Sequence, residues 1–203
     1  MSGLQSALCQ AAADGALDEC RRLLSEGADA NATSKFGIGA LALACAGSHV
    51  DCARALLAAS ADVNMAAGNR STVLSFACDA GLVDVCQLLL ELSADVLLVS
   101  GSERRTALHN SSRNRRSTRC APLILAAAGD APEFVNLSDS LGATALGLAC
   151  KNGHADVVGS LLKAGADPSL RWGALDALAL ARDSGNPACT RLVQGHLEGR
   201  PTS

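Results

Sequence analysis

Leu148-Ala-Cys-Lys-Asn-Gly-His-Ala-Asp-Val-Val-Gly-Ser-Leu-Leu-Lys-Ala-Gly-Ala-Asp-Pro168 decides the reading of this chain. It contains the end of one apolar helix, a Gly153-His154 turn and a second helix with its apolar face on Val157-Val158 and Leu161-Leu162. An Ala166-Asp167-Pro168 connection then follows. The valine and leucine pairs lie at i, i+4 spacing, which puts them on one helical face. Gly153 stands where a chain reversal wants a residue tolerant of positive φ.

Working outward, the same grammar recurs. Ala28-Asp29-Ala30-Asn31 returns as Ala61-Asp62-Val63-Asn64, as Ala94-Asp95-Val96 and as Ala166-Asp167-Pro168, each copy following a Leu-Leu pair. A second signature is Thr72-Val73-Leu74, Thr106-Ala107-Leu108-His109 and Thr144-Ala145-Leu146, with Ser6, Gly39 and Asp176 in the leading slot of the other copies. Successive anchors are 33, 33, 34, 38 and 32 residues apart. A fixed period in this range marks stacked repeats rather than one mixed core. Two residues after each anchor stands a Leu, and five after stand Ala11, Ala44, Ala77, Ser111, Ala149 and Ala181, the stripe of a short helix that the anchor Thr or Ser would cap. Nine after stand Gly15, Ser48, Gly81, Arg115, Gly153 and Gly185 in the turn slot.

Helix, tight turn, helix and a Gly/Asp/Asn-rich connection at this period resemble the ankyrin repeat, and Leu148 to Pro168 follows the family motif almost residue for residue. The family's Thr-Pro pair has lost its proline in every copy, and the fourth copy is eroded. The resemblance implies an all-α ankyrin-repeat solenoid of stacked helix-turn-helix units with short hairpin-like connections. It is expected to form one domain over residues 4–197, with repeats at about 4–34, 35–67, 68–100, 101–138, 139–170 and 171–197, and a flexible tail at 198–203.

Composition narrows the function classes. The net charge is −3, without the basic excess of a nucleic-acid or anionic-membrane binder. Aromatic residues are 2% of the chain, namely Phe36, Phe76, Phe134 and Trp172, too few for base-stacking platforms. The longest uncharged run, Phe36 to Val50, is too short to span a bilayer and contains three glycines. Residues 1–20 have no basic segment of the secretory type, and nine cysteines without a CxxC pair suggest neither a disulfide framework nor a zinc module. A cytoplasmic or nuclear monomer is expected, with no membrane or nucleic-acid partner.

The period also absorbs residues that would otherwise look chemical. Cys45, Cys78 and Cys150 share one slot, Cys20, Cys86 and Cys120 another, and Cys52 and Cys189 a third, where other copies carry small apolar residues. Packing is their expected role. Cys9 falls in the family's semi-exposed His slot. Asp18, Asp51, Asp84 and Asp156 recur at the start of the second helix, where a carboxylate suits the helix dipole. His49 and His154 lie in the turn slot, and His109 in the helix-one slot that the family uses to tie neighbouring turns. No nucleophile with an adjacent base, phosphate loop or HExxH motif is present, so catalytic residues, cofactor and metal are all expected to be none.

What remains is binding. The resemblance implies a non-enzymatic adaptor or scaffold holding another protein on the concave face of connection tips and first helices. The alternative is a regulatory or inhibitory array whose fourth repeat meets an acidic or phosphorylated partner. Arg104, Arg105, Arg113, Arg115, Arg116 and Arg119 cluster there, with no Asp or Glu from Arg104 to Gly129. Guanidinium groups bind carboxylate and phosphate in bidentate fashion. A solvated charge run is the competing explanation. Trp172, in the last connection, is either a binding hot spot or a packing residue.

The resemblance further marks Asn31 and Asn64. In the family, an Asn two residues after the repeat's Asp and eight after a Leu is where a 2-oxoglutarate-dependent asparaginyl hydroxylase of animal cells acts. Asp29 and Leu23, and Asp62 and Leu56, meet that spacing. The alternative is that each Asn serves its turn through side-chain to backbone bonds. Finally, repeat four is expected to be the weak joint of the array. Arg115 occupies a positive-φ slot, Ser111 and Ser112 replace packing alanines, and Pro122 falls in the second helix unless that helix starts late.

Overall fold

The computed structural model describes residues 3–67, 71–129 and 131–199; from residue 200 on, the expected tail lies outside them. The described residues are all-α apart from isolated bridges, and the chain divides into two compact units, Met1–Ser102 and Glu103–Ser203.

The first unit holds three helix pairs: α1 (Gly3–Asp14) with α2 (Leu17–Ser25), α3 (Ala40–Ala46) with α4 (Val50–Ala58), and α5 (Val73–Ala80) with α6 (Val83–Glu91). First helices pack on first helices and second helices on second helices. The leucine of each motif points into the seam, so Leu8, Leu41 and Leu74 from first helices and Leu23, Leu56 and Leu89 from second helices are all buried. Each such side chain contributes about 1.5–3 kcal/mol relative to exposure. Alanines at the facing positions let these short helices approach closely.

The second unit contains α7 (Ala107–Arg113), a 3-10 turn (Arg115–Ser117), α8 (Cys120–Ala128), α9 (Pro132–Val135), α10 (Ala145–Lys151), α11 (Ala155–Lys163), α12 (Ala177–Asp183) and α13 (Pro187–Leu197). Helix α9 is built from the extra residues that lengthen the spacing between Thr106 and Thr144. Its Phe134 and Val135 are buried, so the insertion adds core rather than a loose loop.

The Thr anchors cap the first helices as expected, Thr106 within a capping box shared with His109, and Asp176 caps in the last copy. The side chains of Thr72, Thr144 and Asp176 accept the backbone N–H of Ser75, Gly147 and Ala179 at 3.1, 3.1 and 2.8 Å. Ser6 does not cap; it lies inside α1, which begins at Gly3. The connections close as antiparallel bridges, Thr33 with Gly39, Ala66 with Thr72, Ser138 with Thr144 and Trp172 with Leu175.

Of the expectations about repeat four, the positive φ of Arg115 is corrected, the hydroxyls of Ser111 and Ser112 find partners, and the alternative of a late second helix is what the structure shows. Arg115 does not take a left-handed conformation, because Asn114 is extended and its side chain caps the 3-10 turn by accepting Arg116 N–H at 3.1 Å. The left-handed arginine is Arg104, at φ 52°. Ser111 and Ser112 are fully buried, and both hydroxyls donate to the Leu108 carbonyl at 2.9 and 2.7 Å, so neither is left unsatisfied. Pro122 is the third residue of α8, which starts late, and a first-turn residue has no intrahelical N–H bond to lose.

Candidate functional site

The connection asparagines are consumed in ties between consecutive repeats. In the first unit, Asn31 Oδ1 accepts Asp62 N–H at 2.7 Å and Asn64 Oδ1 accepts Asp95 N–H at 2.8 Å. In the second, Asn136 Oδ1 accepts Asp167 N–H at 2.8 Å, while its amide donates to Gly165 and Pro132 carbonyls. Each Asp in turn accepts the N–H two residues on, as Asp62 does from Asn64 at 2.8 Å. The amides of Asn31 and Asn64 therefore serve as acceptors that fix the next repeat's connection. Asn136 belongs to the same slot although sequence reading passed over it, because Phe134 stands where the motif has Asp.

The histidines are used in the same way. His49 Nε2 lies 3.0 Å from the Ala13 carbonyl oxygen, and a Cβ on Gly15 would come within 2.4 Å of its ring. Gly15 is thus required by the close approach as well as by its φ of 74°. His154 Nε2 lies 3.4 Å from the Arg113 carbonyl oxygen. His109 is buried; its Nδ1 is 2.8 Å from Thr106 Oγ1 and accepts Thr106 N–H, while Nε2 faces the Leu137 carbonyl at 3.1 Å. Burial holds its pKa below the ordinary value, against the opposing pull of Asp139. In repeat three a hydroxyl trio takes the place of that imidazole. Ser75 Oγ is 2.6 Å from Ser100 Oγ, and Ser100 Oγ accepts Thr72 N–H at 3.1 Å.

The arginines separate into two groups. Arg105 is only 7% exposed, its Nε donating to Asp139 Oδ2 at 2.9 Å while a second nitrogen pairs with Glu103. It is a structural ion pair within its unit, which corrects its expected place among the partner-binding residues. Arg104, Arg113, Arg115, Arg116 and Arg119 are exposed. Arg104 stands before α7, and the other four span the α7–α8 turn at the far end of that helix, so the six do not converge. Trp172 is half-buried, with Lys151 Nζ 4.3 Å from its ring centre.

Residues 8–100 and 95–171 match the family model for ankyrin repeats in three copies. The chain belongs to the ankyrin-repeat family. Solved structures agree with this. The human ASB11 ankyrin repeat domain is 27% identical with a TM-score of 0.80, over 94% of this chain and 83% of that one. One chain of the Bd0816 predatory endopeptidase from Bdellovibrio bacteriovorus in complex with immunity protein Bd3460 is 27% identical with a TM-score of 0.78, over 93% of this chain and 96% of that one. A search of curated protein sequences finds no match.

Within this ankyrin array all nine cysteines are buried and free of disulfides. Cys9 is 3% exposed, so its slot is packed here rather than semi-exposed as the family pattern suggested. Burial pushes the Cys45 and Cys150 thiols up to about 12, and the Cys20 thiol likewise with a further push from neighbouring Cys52. Such thiols stay protonated at neutral pH and are poor nucleophiles. No helix among the described residues is long and apolar enough to cross a membrane.

The exposed chemistry of the ankyrin chain is at the connection tips and at the α7–α8 turn. Phe36 is 70% exposed in the first tip and Leu141 is 56% exposed in the tip before α10. A shallow groove between α2 and α4 is lined by Arg21, Arg54, Asp51 and apolar neighbours.

Proposed function

We propose that this ankyrin-repeat protein is a non-enzymatic adaptor that binds another protein through its first helices and connection tips, the face that is concave in the family. Ankyrin repeats are protein-interaction modules in general. The observation carrying the reading is how the side chains divide. His49, His109, Asn31, Asn64 and Asn136 are spent on repeat-to-repeat ties, while Phe36, with Lys35 Nζ 5.0 Å from its ring centre, and Leu141 stand largely exposed at the tips. Exposed large apolar groups on a rigid scaffold are natural anchors for a partner. The same reading places the protein in the cytoplasm or nucleus, supported by nine cysteines without a disulfide. Affinity capture from cells with the full chain, against a Phe36→Ala/Leu141→Ala variant, tests it. Specific partners lost from the variant support the tip face, and identical capture by both proteins overturns it.

A second reading, regulation or inhibition through the fourth repeat, is favoured by Arg113, Arg115, Arg116 and Arg119, whose exposed guanidinium groups have no ion-pair partner among the described residues. Charge reversal of Arg113, Arg115 and Arg116 tests it, since salt-sensitive capture should disappear only if this surface is used.

A further inference from the structure

We propose that the α7–α8 turn is a second docking surface, separate from the tips, and that it takes a carboxylate-rich segment of a partner protein. The proposal deepens the fourth-repeat reading above and rests on it.

Repeat four builds this turn differently from its neighbours. Elsewhere the turn is closed by a small residue at positive φ, as at Gly81, Gly153 and Gly185. Here Asn114 is extended and the 3-10 turn Arg115–Ser117 is inserted, with Ser117 buried and anchored to the Asn114 carbonyl at 2.9 Å. The buried serine fixes the turn, and the arginines on either side of it point to solvent.

Stability does not explain three of those four charges. Arg113, in the last turn of α7, suits that helix's C-terminal dipole. Arg115, Arg116 and Arg119 instead precede or cap the N-terminus of α8, where a cation is disfavoured. Helices α2, α4, α6 and α11 each carry an Asp in their first turn, whereas α8 has no acidic residue there. By contrast, Arg105 in this repeat is buried and paired. Four guanidinium groups without an ion-pair partner among the described residues, three of them at a cost to the start of α8, complement negative charge from outside.

The kind of negative charge follows from the arrangement. The four groups are spread along Arg113–Arg119 and all are exposed, which matches single charges distributed along a peptide rather than one phosphate held by converging buried donors. No aromatic residue lies between Arg104 and Gly129 to stack a base, and the net charge of −3 opposes a polyanionic strand. The turn offers Asn114, Ser117 and Thr118 between its arginines and no apolar side chain to enter a bilayer. Arg104 and Leu141 belong to connections, whereas the turn lies beyond the seven residues of α7, about 10 Å further along the helix axis.

The test is fluorescence anisotropy of the full chain with a labelled peptide of alternating Asp and Glu. The Arg113→Glu/Arg115→Glu/Arg116→Glu/Arg119→Glu variant should bind at least about tenfold more weakly, while reversal of the exposed Arg21, Arg54, Arg182 and Arg191 should change affinity less than about twofold. Binding should fall as salt rises from about 0.05 to 0.3 M. Arg115→Glu, Arg116→Glu and Arg119→Glu remove cations from the start of α8 while Arg113→Glu places an acid at the end of α7, so the two effects oppose each other and the thermal midpoint of the four-fold variant should change little, which keeps loss of binding distinct from unfolding. The proposal is overturned by no binding or by equal loss in both variants. It is also overturned if a phosphoserine peptide of equal charge, a single-stranded oligodeoxynucleotide or phosphatidylserine vesicles bind at least about tenfold more tightly than the acidic peptide. Because Phe36→Ala/Leu141→Ala leaves the turn intact, it should retain peptide binding. A protein that loses its captured partners through the tips yet ignores the peptide would sink this surface and leave the adaptor reading standing.

Discussion

Arg105 Nε donates to Asp139 Oδ2 at 2.9 Å, joining two residues 34 apart in sequence across the fourth connection. Asp139 also accepts the N–H groups of Leu141 and Ala143 at 2.9 Å each. These bonds together outweigh burial and hold its carboxyl below the usual aspartate range. Removing the guanidinium leaves a buried carboxylate short of its countercharge. Arg105→Met should therefore cost about 3 kcal/mol in urea unfolding, in the range for breaking a buried pair. A loss below about 1 kcal/mol would show that the pair contributes little.

His109 sets an acid limit on the second unit. Its folded pKa is depressed by burial, so between pH values near the folded and unfolded pKa the unfolded chain holds more protons. Stability from the neutral ring is thus complete above the unfolded value of about 6.5 and is lost as pH falls through the lower folded value. Asp139 acts in the same direction at lower pH, below about 4. Thermal midpoints between about pH 7.5 and 5.5 should drop more in the native protein than in His109→Gln, and equal slopes would refute this assignment.

Backbone strain lies at Arg104, not Arg115. Arg104→Gly should stabilise the protein by about 0.5–1 kcal/mol, since φ 52° is costly for a side chain with a Cβ. Arg115→Gly should give no gain. Chemical denaturation of the two variants decides, and the reverse order would mean that the turn geometry is different in solution.

The fourth repeat is expected to be well formed. Pro122→Ala should alter stability by less than about 1 kcal/mol, because the proline is in the first turn of α8. Amides of 107–113 should exchange with deuterium within about tenfold of those of 145–151, the equivalent helix one repeat on. Exchange faster than that would bear out the weak-joint expectation.

The legibility of this chain follows from its period. A helix pair that cannot bury its own apolar face must repeat its leucines and alanines at a fixed spacing, so the all-α architecture and the packing of Cys45, Cys78 and Cys150 were readable from self-similarity. The role of His109 was readable from the ankyrin resemblance, which assigns that slot an imidazole tying neighbouring turns, as its bond to the Leu137 carbonyl does. The breaks in the period were not readable. Phe134 in an Asp slot hid Asn136, and a polar slot filled by Cys9 proved buried.

What the sequence by itself determined is the repeated unit, because hydrophobic periodicity and turn residues act over a few neighbours in the chain. What only the tertiary structure decided is the use of each charge in repeat four. Arg104 and Arg105 are adjacent and chemically identical, yet one is strained and solvated while the other is buried against Asp139. Arg115 escapes its motif's positive φ because Asn114 and Ser117 brace a different turn. A guanidinium's role depends on whether a carboxylate reaches it through space, and that distance is set by how repeats pack, which composition and spacing along the chain do not encode.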